Sequence, residues 1–150
     1  MIESDMRHLF KPHGKFFLYR DGNILVTDIT GPWNIELTKS WAKAAIPYSL
    51  EIQTIGAWGA VAIITESMLC SPDAMQALRK NVAYSVQRLG CVSHCIVAKA
   101  DVLGRGLVEP AFQRAYEGLC PSNFFYDYDS AKRWTQAQIQ AALDVKINTL

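Results

Sequence analysis

The chain has 150 residues, of which 50% are hydrophobic, 19% charged and 11% aromatic, and its formal net charge is +1. That is the size of one ordinary domain with a core of its own. Lysines and arginines are scattered rather than gathered into a run, which argues against nucleic acid or an anionic membrane as partner.

The opening fifteen residues, MIESDMRHLFKPHGK, are charged and lack the apolar centre of a signal peptide. No apolar stretch approaches the roughly 18 residues needed to span a bilayer, so a cytoplasmic protein without a membrane span is expected. Four cysteines in a chain of this length do not make a disulfide scaffold and are expected to be thiols.

Residues 1–14 read as a detachable tail and 15–150 as a single domain. After the tail, KFFLYRDGNILVTDI holds two short β-rich runs, 16–19 and 24–29, around the hairpin dipeptide Asp21-Gly22. GPWN ends the second run and Asn34 can cap a helix. The spacing of Ile35, Leu37, Trp41, Ala44 and Ala45 predicts that helix, with a stop or kink at Pro47.

WGAVAIIT, residues 58–65, is apolar without polar alternation, the pattern of a strand covered on both faces in the middle of a sheet. Met75, Leu78, Val82, Val86 and Leu89 then recur at helical spacing up to Gly90. CVSHCIVAKAD, residues 91–101, reads as another buried strand. Leu107, Val108, Ala111, Phe112, Ala115, Tyr116 and Leu119 form a second helical stripe. SNFFYDYD supplies an aromatic strand, and Asp129 or Ser130 can cap a last helix with Ala131, Trp134, Ala137 and Ala141 on one side, frayed at its DVKINTL end. Of the aromatics Phe124, Phe125, Tyr126, Tyr128 and Trp134, those on alternate positions are expected in the core and the rest outward, open to a partner.

Hairpin, helix, strand, helix, strand, helix, strand, helix, joined by right-handed crossovers, gives an α/β fold with a largely parallel sheet and helices packed on it. This order resembles the STAS superfamily, the sulfate transporter and anti-sigma-factor antagonist domains, and within it the SpoIIAA-like branch of small stand-alone bacterial proteins. DGNILVTDITGPWN is similar to that family's initial hairpin running into a first helix, and FFYDYDSAKRW to its closing aromatic strand and acidic-capped helix. The likeness spans roughly residues 15–143.

The resemblance implies a non-enzymatic regulatory module that works by binding a protein partner, without a cofactor. In anti-sigma-factor antagonists a regulatory serine begins the helix after the central strand, within an Asp-Ser-Ser-Gly or similar turn. The matching turn here is LCSPDA and the nearest serine is Ser71, but Cys70 and Pro72 stand where the acidic residue and the glycine would be.

Read from the residues alone, Ser71-Pro72-Asp73 is what a helix start requires: a capping hydroxyl, a proline at the first helical position and a carboxylate at the positive end of the dipole. A phosphate on Ser71 would be favoured by that end and opposed by Asp73. Cys70 could have its thiol pKa lowered there, although no histidine lies nearby in sequence to act as base. Ser67, Cys70, Ser71 and Asp73 are therefore the regulatory or interaction candidates, with a Ser/Cys enzyme the least favoured reading.

His8 and His13 lie in the tail, which leaves His94. In a regular strand Cys91 and Cys95 would share one side, on the order of 13 Å apart at about 3.3 Å rise per residue, with His94 on the other, so no metal site is expected. In DVLGRGLVEP the pair Gly104 and Gly106 with Arg105 sits between a strand and a helix, where anions or nucleotide fragments bind in many α/β proteins. The alternative is a tight turn with Arg105 exposed and Glu109 opposing an anion. A small-ligand domain with a pocket between CSPD and GRG is the second functional expectation, and apolar cavities among the resembled family extend it to a lipid or other amphipathic ligand. No P-loop, Gly-x-Ser-x-Gly elbow, His-Glu-x-x-His or Cys-x-x-Cys pair is present.

Overall fold

The computed structural model describes residues 12–149, so most of the expected tail, including His8, lies outside the described residues. β1 (Lys15–Asp21) and β2 (Ile24–Thr30) pair antiparallel, with Asp21 opposite Ile24 and Gly22 at φ +60° in the turn. The left-handed backbone that this two-residue connection needs is why glycine is there. Three crossovers follow: α1 (Ile35–Gln53) leads to β3 (Trp58–Thr65), α2 (Pro72–Arg88) to β4 (Cys91–Val97), and α3 (Arg105–Tyr116) to β5 (Ser122–Phe125). α4 (Tyr128–Asn148) closes the chain. The five strands lie in the order β1-β2-β3-β4-β5, parallel from β2 onward. Because the order never reverses, the sheet has no switch point of the kind that opens a ligand crevice in doubly wound folds.

The central strand β3 shows how the layers are made. Val61 packs with Ile24, Val26, Cys95, Val97, Ala131 and Ile139 under α4, while Ile64 packs with Leu37, Val82, Ile96 and Phe112 under α1, α2 and α3. One face thus carries a single long helix and the other carries three. Gly59 is required on the α4 side: a Cβ there would collide with the Thr135 methyl and reach 2.9 Å from Ser93 Oγ. Thr135 is wholly buried at that contact. Polar bonds pin the start of the same helix to the hairpin, with Tyr128 donating to Asp21 Oδ2 at 2.7 Å and Lys132 Nζ 3.0 Å from the same oxygen. Those partners hold the Asp21 carboxyl below its ordinary value, the tyrosine bond being the larger cause.

Four local expectations are corrected. α1 does not stop at Pro47 but runs on to Gln53. Burial of Ser49 and of Ile52, which packs with Trp58 and Leu89, offsets the roughly 3 kcal/mol that an internal proline costs. β4 is not regular: its register with β3 slips between Trp58 opposite Cys91 and Gly59 opposite Ser93. This bulge turns Cys91 to the side of His94, with Sγ 3.4 Å from Nε2. In α3, Leu107 faces solvent at 80% exposure instead of joining the stripe. In α4 the buried line is Ala131, Thr135 and Ile139, the cap is Asp127, which accepts from Ser130 N at 2.8 Å, and the helix persists through Asn148.

Gly59→Ala is expected to destabilise the domain by about 1–3 kcal/mol in urea unfolding, as over-packing does. Adding Thr135→Ser, which removes the opposing methyl, should recover part of that loss. Equal stability of Gly59→Ala and the parent would show that α4 does not seat on Gly59.

Candidate functional site

Pairing does not end where the strands end. Gly31 N donates to Thr65 O at 3.1 Å, Trp33 N to Leu69 O at 3.1 Å, Leu103 N to Glu66 O at 3.0 Å and Met68 N to Leu103 O at 2.9 Å. Trp33 pairs with Cys70 and Ser67 with Leu103 as isolated parallel bridges. The loops after β2, β3 and β4 are thus joined by their backbones, and this places the start of α2. The join is close, since a Cβ on Gly31 would strike the carbonyl of Ser67. Glu66 adopts a left-handed backbone at φ +65°, a conformation that non-glycine residues hold only where their surroundings impose it.

Of the four regulatory candidates, Ser67 is buried and its Oγ accepts from Leu69 N at 3.1 Å, inside the joined loops. Ser71 is the N-cap of α2, followed by Pro72 at the first helical position. Its cap bond is long: Ala74 N lies 3.4 Å from Ser71 Oγ but 2.9 Å from Asp73 Oδ1. Asp73 therefore carries most of the capping, and the half-buried Ser71 hydroxyl is only weakly held. Cys70 does not have the lowered pKa that the helix end suggested. Burial, aided by the Asp73 charge, pushes its thiol up to about 11.

Beside Ser71 a groove of about 430 Å³ runs between α2 and α3. Met75, Val108 and Ala111 line it together with Cys70 and Pro72, and Arg79 and Arg114 stand along it. Leu107, at 80% exposure, lines the same groove, and Leu103, at 62%, lies four residues before it. Arg79 is a residue the sequence reading missed. It donates to the carbonyls of Arg114 at 2.7 Å, Ala115 at 3.0 Å and Glu117 at 3.4 Å, capping the C-terminal end of α3 and fixing the two walls relative to each other. An arginine bound to three carbonyls across a helix–helix junction has no signal in one-dimensional spacing.

The groove that Cys70, Ser71 and Pro72 line includes none of Gly104, Arg105 and Gly106. Gly104 caps α3 at φ +79°, and a Cβ there would press on Leu69. Arg105 is turned inward rather than exposed: Nε donates to Ala98 O at 2.9 Å, Nη1 meets Glu109 Oε2 at 3.1 Å, and the guanidinium lies 4.3 Å from the ring centre of Tyr126. Its charge is already engaged by these three partners.

The second cluster is internal. His94 Nε2 lies 3.1 Å from Ser85 Oγ and 3.4 Å from Cys91 Sγ, and the ring stacks on Tyr116 at 5.4 Å between centroids. Ser85 Oγ donates to Val82 O at 2.8 Å and Cys91 Sγ to Ser93 O at 3.3 Å. Both hydrogens being committed to carbonyls, each group accepts at Nε2, and His94 carries its proton there. Ser85, Cys91 and His94 are all buried. Burial lowers His94 to about 4 and raises the Cys91 thiol far above its ordinary value, so neither a base nor a thiolate is poised for catalysis.

Among the described residues no group of three His, Cys, Asp or Glu could hold a metal, and no helix is long and apolar enough to cross a membrane. Compared with known proteins, the chain matches no family model, no curated protein and no solved structure.

Two outcomes follow from these environments. Cys70 should alkylate with iodoacetamide at pH 7 roughly a hundredfold more slowly than an unperturbed thiol, because two units of pKa remove that factor of thiolate. Alkylation at the free-thiol rate would contradict the burial of Cys70. His94 is depressed from 6.5 to about 4 in the folded state, so the unfolded chain binds the extra proton. Its contribution is present above pH 6.5 and is lost as pH falls toward 4, by about 3 kcal/mol at 1.36 kcal/mol per unit. Unfolding free energies measured across that window should slope downward with acid, and His94→Gln should flatten the slope. An unchanged slope in His94→Gln would assign the acid sensitivity elsewhere.

Proposed function

We propose that this domain is a non-enzymatic regulatory module of the STAS, SpoIIAA-like kind, acting in a bacterial cytoplasm, which binds a protein partner through the start of α2 and the groove between α2 and α3. The observation that carries this reading is the groove itself. Its wall is mostly apolar, it includes solvent-facing Leu107, and it adjoins a serine whose cap bond is the weaker of two on one N–H. Leucines this exposed beside an apolar groove are the composition of an interface centre. Arg114 at the groove suits a partner segment that sets an acidic side chain beside apolar ones.

The same features support a switch at Ser71. Esterifying its Oγ with a phosphoryl group, with loss of the hydroxyl proton, would disturb only a 3.4 Å bond while Asp73 keeps Ala74 N, and it would add negative charge at the mouth of the groove. Support for a non-enzymatic reading comes from the nucleophiles. Cys70 has a raised pKa, and the Ser85–His94 pair is buried, with the imidazole pKa lowered by that burial.

Protein isolated from its native cells is expected to co-elute with a partner in gel filtration. Leu107→Glu should weaken that complex at least tenfold, about 1.4 kcal/mol, without lowering the melting temperature. Intact mass should show a phosphate adduct that Ser71→Ala abolishes. A complex indifferent to Leu107→Glu would place the partner on another face, and an unmodified mass in every growth condition would remove the switch.

A further inference from the structure

On the three-helix face β3 presents Ala60 and Ala62 between Trp58 and Ile64. Two methyl groups stand at the centre of the sheet where large side chains would otherwise meet the helices. Both alanines retain accessible surface although they belong to the middle strand, so no protein atom fills the space above them. That space is a cavity of about 50 Å³ with an almost wholly apolar wall that includes Ile29, Trp33, Leu37, Ile96 and Phe112. At about 10–15 Å³ per water-sized centre, it accommodates roughly three to five non-hydrogen atoms.

Six of its lining side chains, Thr27, Trp33, Thr38, Trp41, His94 and Tyr116, carry N–H or O–H groups or a ring nitrogen, and they are not equivalent; Thr38 Oγ1 donates to Asn34 O at 3.2 Å. Thr27 Oγ1 accepts from Trp41 Nε1 at 3.0 Å, which satisfies that pair. Tyr116, only 2% exposed, makes no hydrogen bond through its hydroxyl to any described residue. His94, with its proton on Nε2, has Nδ1 left as an acceptor without a protein donor among the described residues. Neither atom is among the fully enclosed polar atoms that lack a partner, so each reaches open space, and a hydroxyl facing an apolar cavity gains from a hydrogen-bond partner placed there. One hydroxyl is the smallest group that can both accept from a phenol and donate to an imidazole.

We propose that this cavity is a binding site for a small alcohol, a branched hydrocarbon of three to five heavy atoms bearing one hydroxyl, anchored by Tyr116 and His94 over the Ala60–Ala62 floor. The site is separate from the α2–α3 groove and does not depend on the partner-binding reading.

Isobutanol and its hydroxyl-free isostere 2-methylbutane are the probes, titrated into the full chain while the methyl resonances of Ala60, Ala62 and Ile96 are followed by NMR. Isobutanol should give saturable shifts of these methyls in the millimolar range. Tyr116→Phe, whose fold is expected to persist because the hydroxyl has no protein partner, should weaken isobutanol at least fivefold and leave 2-methylbutane unchanged. Ala62→Ile, which fills the floor, should abolish the response to both. Absence of saturable shifts in the parent protein overturns the proposal. So does equal isobutanol affinity in Tyr116→Phe and the parent, which would mark an apolar void without an anchor, and so does undiminished binding in Ala62→Ile.

Discussion

The backbone bonds that continue past the ends of β2, β3 and β4 are the constraint on which the rest of this structure depends. Were the sheet to stop at Thr30, Thr65 and Val97, the polar groups of three loops would be left to water, and the helix starts would be free to drift. Instead Trp33 pairs with Leu69, and Leu103 pairs with both Glu66 and Met68, so each loop is held by the next. Backbone groups in such a junction need partners, and the loops supply them to each other. The consequence is local precision: Ser71 enters α2 at a fixed place, Leu69 closes over Gly104, and the crevice expected at the strand ends is occupied by the protein itself.

The unequal covering of the two sheet faces follows from small residues in β3. Gly59 allows α4 to approach until Thr135 fills the missing Cβ, so that face is filled by contact between backbone and methyl. On the opposite face Ala60 and Ala62 provide no such bulk, and three helices arch over them and leave a cavity. Tight packing on one side and a lined space on the other are thus written into alternate positions of a single eight-residue strand. A core at crystal-like density would not carry this cavity without a loss of stability, which is the physical reason to connect it with a ligand.

Much of this was legible in the sequence, and the reasons are particular. Asp21-Gly22 marks the hairpin, the unbroken apolar run of β3 marks the sheet centre, and Ser71-Pro72-Asp73 marks the start of α2 because cap chemistry is local. Failures arose where distant residues decide. Pro47 reads as a stop until Ile52 is seen in the core, and the side taken by Cys91 depends on a bulge against Trp58 and Gly59. Arg105 reads as a free cation in its own segment, but Ala98 and Tyr126 come from elsewhere in the chain to meet it. Nor could spacing reveal that Asp73 rather than Ser71 holds Ala74 N more closely, since that is a matter of half an ångström.

An α/β scaffold with a joined loop layer and an exposed, mostly apolar groove offers a surface on which a partner can sit. In the function proposed above, the partner sits on the α2–α3 groove beside Ser71. Amide hydrogen exchange of the full chain, alone and in the complex recovered from its cells, tests it most directly. Added protection is expected over residues 69–76 and 103–111, with little change in β1 or α4. Protection concentrated on β1 and α4, with the groove exchanging as in the free protein, would contradict it.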